Sequence, residues 1–151
     1  FYVIIMIGVG NMFILILVII WMLIIFLFSS QNKEESKKTS DGFIIKVCNI
    51  FISKKLSKKK KERLTKKYHF IARKLAHFSI YLVLGVLIIS LLMYYNVSNP
   101  VLIGIIGCLL YASSDEFHQT FVKGRTGCIK DVIIDTCGSI VGILSYYFIF
   151  K

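Results

Sequence analysis

The residues best able to do chemistry in this 151-residue chain form the run Ser114-Asp115-Glu116-Phe117-His118-Gln119, with Gly124-Arg125 and Asp131 close behind. They sit between two strongly apolar segments. Acids, a histidine and an arginine are costly to keep there, so they normally face a protein interior or a wet cavity and mark a functional site. Lys74 and His77 stand at the mouth of another apolar segment. At helical spacing Lys74, His77, Tyr81 and Gly85 share one face, and Asp115, His118 and Gln119 share another. Asp131, Asp135, Gly138 and Gly142 make a third stripe. Its two glycines form a G-x-x-x-G pattern, which permits close helix approach.

Carboxylates and imidazoles in a desolvated site have tunable proton affinities, so Asp115, Glu116 and His118 are the candidates for acid or base work. Asp115 and His118 also have the spacing of a metal-ligand pair, which His77 or Asp135 would complete. No H-E-x-x-H signature accompanies them, and no G-x-S-x-G context supports a serine hydrolase. The sequence calls for no cofactor. Each element also has a plainer role: the glycines as packing, Asp131 as a helix cap, His77 as a hydrogen-bonded core histidine. What marks a site is the convergence of many polar groups in a small protein.

The elements that carry these residues are read from composition. Hydrophobic residues make up 56% of the chain, and they fall in blocks rather than at amphipathic spacing. That is the pattern of an all-α integral membrane protein, a single membrane domain over 1–151. Four transmembrane helices are expected over about 3–28, 75–95, 101–118 and 132–150. The chain begins at Phe1 rather than methionine, so a few N-terminal residues are expected to be missing. The first block is too long for a signal-peptide core and lacks a small-residue cleavage site, so a retained span is expected. The apolar part of the third segment, Val101 to Ala112, is too short to cross about 30 Å of hydrocarbon and must continue through Asp115 to His118. Asn96-Val97-Ser98-Asn99-Pro100 reads as a tight turn with Pro100 opening the next helix.

Charge is concentrated in the connection over 32–73 and at Lys74, which together hold 15 of the 19 basic residues. Beside spanning helices such a run favours anionic phospholipid head groups over nucleic acid. Two amphipathic stripes lie within it, Phe43-Ile44-Val47-Cys48-Phe51-Ile52 and Leu64-Tyr68-Ile71-Leu75, the second feeding into the next span, and these predict basic interfacial helices between the first two spans. Cys48, Cys108, Cys128 and Cys137 show no zinc spacing. Counting spans puts the start of the second, the end of the third and the start of the fourth on one side of the membrane. Lys74, His77, Tyr81, Asp115, Glu116, His118, Gln119, Gly124, Arg125, Asp131 and Asp135 then meet at one face, with Gly85, Gly138 and Gly142 packing the helices below. Lys74 and His77 are expected beside Asp115 and Glu116, with Arg125 bridging to Asp131 or Asp135.

Several of these residues resemble the motifs of the VanZ-like family. They are Phe28-Ser29-Ser30-Gln31, Arg73-Lys74-x-x-His77-Phe78 with Tyr81 and Leu84-Gly85, Ser114-Asp115-Glu116-x-His118-Gln119-x-Phe121, Gly124-Arg125, and Asp131-Val132-x-x-Asp135-x-x-Gly138 with Gly142. Val122-Lys123 stands where many members have a proline, and the basic connection is richer in lysine than the family requires. The resemblance implies a small multi-pass protein of the bacterial cell membrane, in a family whose namesake gives low-level resistance to the glycopeptide teicoplanin.

Three function classes follow. A binding or envelope-modulating protein would hold a polar, lipid-linked ligand in the cluster. A membrane enzyme would act on a lipid-linked substrate by acid/base or metal-assisted chemistry. A transporter is disfavoured, because four spans leave little room for a pathway in one chain. The positive-inside rule puts the polar face in the cytoplasm, whereas the glycopeptide link points outside. The sequence leaves the oligomeric state open.

Overall fold

A computed structural model of the chain describes residues 2–32, 34–36, 38, 42 and 58–151, with side chains described from 12 in the first helix and from 71 in the second. Four long helices dominate: α1 (Tyr2–Ser29), α2 (Lys58–Tyr94), α3 (Pro100–Gln119) and α4 (Ile129–Phe150). Each contains a stretch long and apolar enough to cross a bilayer: Met12–Ser29, Ile71–Tyr94, Pro100–Gln119 and Ile129–Phe150. The outward surface agrees, since Met12, Phe13, Leu23, Leu27, Leu110 and Phe148 are all exposed. In water that belt would be an aggregation surface; in lipid it is the ordinary boundary. The protein is an all-helical, multi-pass membrane protein that sits in a lipid bilayer.

The second helix differs from expectation at its start. It runs 37 residues from Lys58, about 55 Å at 1.5 Å per residue, far more than about 30 Å of hydrocarbon. The Leu64-Tyr68-Ile71-Leu75 stripe feeds directly into the span, as expected, in one unbroken helix. Lysine is a good helix former, so a lysine-rich lead-in extends a helix that the apolar part nucleates. The Phe43–Ile52 stripe lies outside the described residues.

The turn between α2 and α3 is built on two left-handed residues, Asn96 (φ 52°) and Asn99 (φ 54°). The Asn96 N–H donates to Met93 O (3.1 Å) and the Val97 N–H to Leu92 O (3.0 Å). This is the paired pattern of a Schellman ending, with asparagine where glycine is commonest. Pro100 then opens α3 at its first turn. Asn96→Val should cost about 1–2 kcal/mol, because a β-branched residue resists positive φ. Asn96→Gly should be near neutral, and detergent-unfolding midpoints of the two variants would separate these outcomes.

The core lies where α2, α3 and α4 meet, around Tyr81, Leu84, Ile89, Cys108, Ala112 and Ile143, with Ile25 joining from α1. The α2–α4 pair is the most intimate in the bundle. A Cβ added at Gly85 would strike the Ser139 carbonyl oxygen, one at Gly138 the Phe78 carbonyl oxygen, and one at Gly142 the Leu82 carbonyl oxygen. The two helices thus touch backbone to backbone along three successive turns. Helix α1 packs more lightly, on α2 and α3, and is held by hydrogen bonds to main-chain carbonyls. The Trp21 indole N–H donates to Ile80 O (2.9 Å), and the Tyr111 hydroxyl donates to Met22 O (2.7 Å).

Candidate functional site

The ends of α1 and α3, the entry of α2 into its span and the start of α4 all lie at one end of the bundle, and its buried polar groups gather there. Asp115, Glu116, Gln119, Arg125, Asp131, Asp135, Ser29 and Ser139 are all buried. Gln119, 1% exposed, is the joint between opposite charges. Its amide donates to Glu116 Oε1 (2.9 Å) and more distantly to Asp115 Oδ2 (3.4 Å), while its carbonyl oxygen accepts from Arg125 Nη1 (3.1 Å). The second Glu116 oxygen accepts the Cys128 N–H at 2.9 Å, which ties the loop after α3 back onto that helix. Gly124, at φ 77°, supplies the reversal that aims Arg125 inward.

Arg125 departs from the expected bridge to Asp131 or Asp135. Its Nη1 donates to Ser29 O (2.7 Å) as well as to Gln119, and its Nη2 donates to Ser36 Oγ (2.7 Å). The reason lies at the end of α1, where the last-turn carbonyls have no helical partner and carry the negative end of the macrodipole. A guanidinium there satisfies an orphan acceptor. Ser36 is presented by a short helical turn that Asn32 and Glu35 cap reciprocally. The Glu35 N–H donates to Asn32 Oδ1 (2.9 Å), and the Asn32 N–H donates to Glu35 Oε2 (3.1 Å). Burial pushes the Arg125 pKa down, and nearby Arg73 adds to that; Glu116 and Asp115 oppose it. Two guanidinium groups therefore stand near each other at this end of the bundle.

Lys74 also differs from the expected pairing, and His77 does so in part. Lys74 forms an ion pair with Asp131, and His77 Nδ1 faces Asp135 at 3.3 and 3.4 Å from its two oxygens. The tight α2–α4 packing sets these partners: it brings the start of the α2 span against the first turns of α4, leaving Asp115 and Glu116 on the α3 side. His77, Glu116 and Asp135 nevertheless bring one donor atom each within 4.8 Å of one another. His118 does not join them. Its ring packs on Phe26 of α1, with centroids 4.6 Å apart. Tyr81 is buried with its ring 6.2 Å from Tyr111, and its hydroxyl has no hydrogen-bond partner.

Between α1 and α2 lies a cavity of about 580 Å³. Ile25, Phe28, Leu75, Ala76 and Ile80 form its apolar wall, and Arg73, His77, Asp115, Arg125 and Ser36 form its polar end. Phe28 and Leu75 are themselves exposed, so the cleft borders the lipid-facing surface.

The VanZ/LLP1 family model matches residues 13–150. The chain belongs to that family. No curated protein and no solved structure matches it. The match spans all four helices of this VanZ-family protein and the whole polar end.

Four participants escape a reading by residue type. Arg73 was visible only as part of a motif, and Ser36 as one polar residue among many in a connection. The Ser29 carbonyl and the Cys128 N–H are main-chain groups and leave no mark on the sequence. The Asn32-x-x-Glu35 spacing was the one local signal available, since it is a helix-start pattern.

Proposed function

We propose that this protein binds a lipid-linked component of the bacterial cell envelope, with the chain in the α1–α2 cleft and an anionic head group at its polar end. The observation that carries the reading is the composition of that one cavity. An apolar wall borders the membrane, and two guanidinium groups, Arg73 and Arg125, line the same cavity. The volume is in the range of small-ligand sites, and paired guanidinium groups suit phosphate geometry. A lipid would enter sideways past Phe28 and Leu75 without leaving the bilayer. The glycopeptide phenotype implied by the family resemblance belongs with this reading, because such drugs act on lipid-linked wall precursors. The lysine-rich connection adds a second, less specific contact with anionic phospholipid head groups.

A photoactivatable phosphatidic acid in nanodiscs should label the cleft, and phosphatidylcholine should label it far less. Charge-assisted hydrogen bonds contribute about 1.5–3 kcal/mol, so Arg73→Gln should weaken labelling roughly ten- to hundredfold. Equal labelling by the two lipids, undiminished in Arg73→Gln, would refute the reading.

One observation favours an enzyme instead. His77 Nδ1 faces the Asp135 carboxylate, the arrangement by which a carboxylate orients an imidazole for proton transfer. In that case His77→Gln would abolish turnover of a bound lipid-linked substrate while leaving the lipid in place.

A further inference from the structure

We infer that His77, Glu116 and Asp135 form a binding site for one first-row divalent metal ion of the zinc class. The inference does not rest on the lipid reading, and its test uses the metal alone. Three observations carry it. The first is convergence: one donor atom from each of α2, α3 and α4 lies within 4.8 Å of the other two.

The second is distance. His77 Nδ1 and Asp135 Oδ1 are 3.3 Å apart, longer than the 2.7–2.9 Å typical of a charge-assisted hydrogen bond. Zinc binds nitrogen and carboxylate oxygen at about 2.1 Å, and two such arms spanning that separation would meet at roughly 105°, close to tetrahedral. Glu116, with a donor atom within 4.8 Å of the other two, would be reached through a metal-bound water or by a small side-chain shift. The Gln119 and Cys128 N–H groups would then serve as the outer hydrogen bonds that hold a ligating carboxylate in place.

The third is charge. Asp135 is 0% exposed, and its Oδ1 has no hydrogen-bond partner. Asp115, 4% exposed, likewise has an unpartnered Oδ1. Once Lys74 is paired with Asp131, three buried carboxylates, Asp115, Glu116 and Asp135, stand against the buried guanidinium of Arg125 and the half-buried one of Arg73, which leaves one negative charge in excess among these groups. A divalent cation offsets that surplus at a depth where unpaired charge is costly. The donor set selects the ion. An imidazole with two carboxylates suits zinc-class ions, whereas calcium and magnesium take shells built from oxygen.

The test uses the whole chain in nanodiscs, stripped with chelator and dialysed against Zn²⁺ or Co²⁺. Elemental analysis should find about one ion per chain, and cobalt should give the visible bands of a low-coordinate site. His77→Gln and Asp135→Asn should each weaken Zn²⁺ binding at least tenfold. Changing all four cysteines, Cys48, Cys108, Cys128 and Cys137, to alanine should leave it intact, because Cys128 takes part only through its main-chain N–H, and this removes thiols as the ligands. Should the site variants fail to fold, the wild-type cobalt spectrum still decides. A six-coordinate, water-like spectrum, binding well below one equivalent, or full retention by Asp135→Asn would each overturn the site.

Discussion

Replacing Gln119 with leucine should destabilise the protein by about 3–5 kcal/mol, a large effect for a substitution that removes no charge. Gln119 is fully enclosed and contacts Glu116, Asp115 and Arg125 at once. Leucine fills similar volume but offers neither donor nor acceptor. Two carboxylates lose a proton donor and a guanidinium loses an acceptor, all shielded from water, and stranded charged groups are among the costliest defects a core can hold. Trp21 is the only tryptophan in the chain, and its indole is bonded to the Ile80 carbonyl of α2. Its fluorescence therefore reports whether α1 remains docked during unfolding in detergent. A midpoint within about 1 kcal/mol of wild type would show that water reaches these groups and replaces the amide.

The second large effect concerns the α2–α4 seam. Gly138→Leu and Gly142→Leu should each prevent the native helix pair from forming, with a loss above about 3 kcal/mol. Even a single methyl at either position meets a facing main-chain carbonyl, not a side chain that could turn aside. Overpacking a tight site typically costs about 1–3 kcal/mol, and here the obstacle is backbone on a helix that carries Lys74 and His77. Any separation should pull Lys74 away from Asp131 and His77 away from Asp135. Gly107, which has nothing within 4 Å of an added Cβ, provides the control: Gly107→Leu should leave unfolding unchanged. Wild-type stability in Gly138→Leu would mean that the seam is looser than its backbone contacts require.

The sequence was informative in proportion to how far each feature depends on composition alone. Four blocks of apolar residues can only be spans, and with a tight turn at 96–100 the counting of crossings already gathered Lys74, His77, Asp115, Glu116 and Asp131 at one end. Who meets whom there depends on helix rotation and crossing, which a stripe of residues does not encode. The Gly85, Gly138 and Gly142 contacts set the α2–α4 rotation, and that choice gives Lys74 to Asp131 and His77 to Asp135. His118 shares a helical face with Asp115 in the sequence, yet α1 claims it through Phe26. Arg125 was the least readable residue, because the Ser29 oxygen it finds is a main-chain atom 96 positions earlier. The start of α2 was missed for another reason: lysines mark a segment as polar without saying whether it is helical.

The attachments of α1 have an evolutionary corollary. Met22 and Ser29 receive their bonds from Tyr111 and Arg125 through peptide oxygens, and every residue has such an oxygen. A mutation in α1 that keeps it helical and greasy leaves both acceptors in position. Among the described residues, only Trp21, whose indole is itself a donor to the Ile80 carbonyl, ties α1 down through a hydrogen-bonding side chain of its own, so most other positions of the helix can change without loosening these bonds.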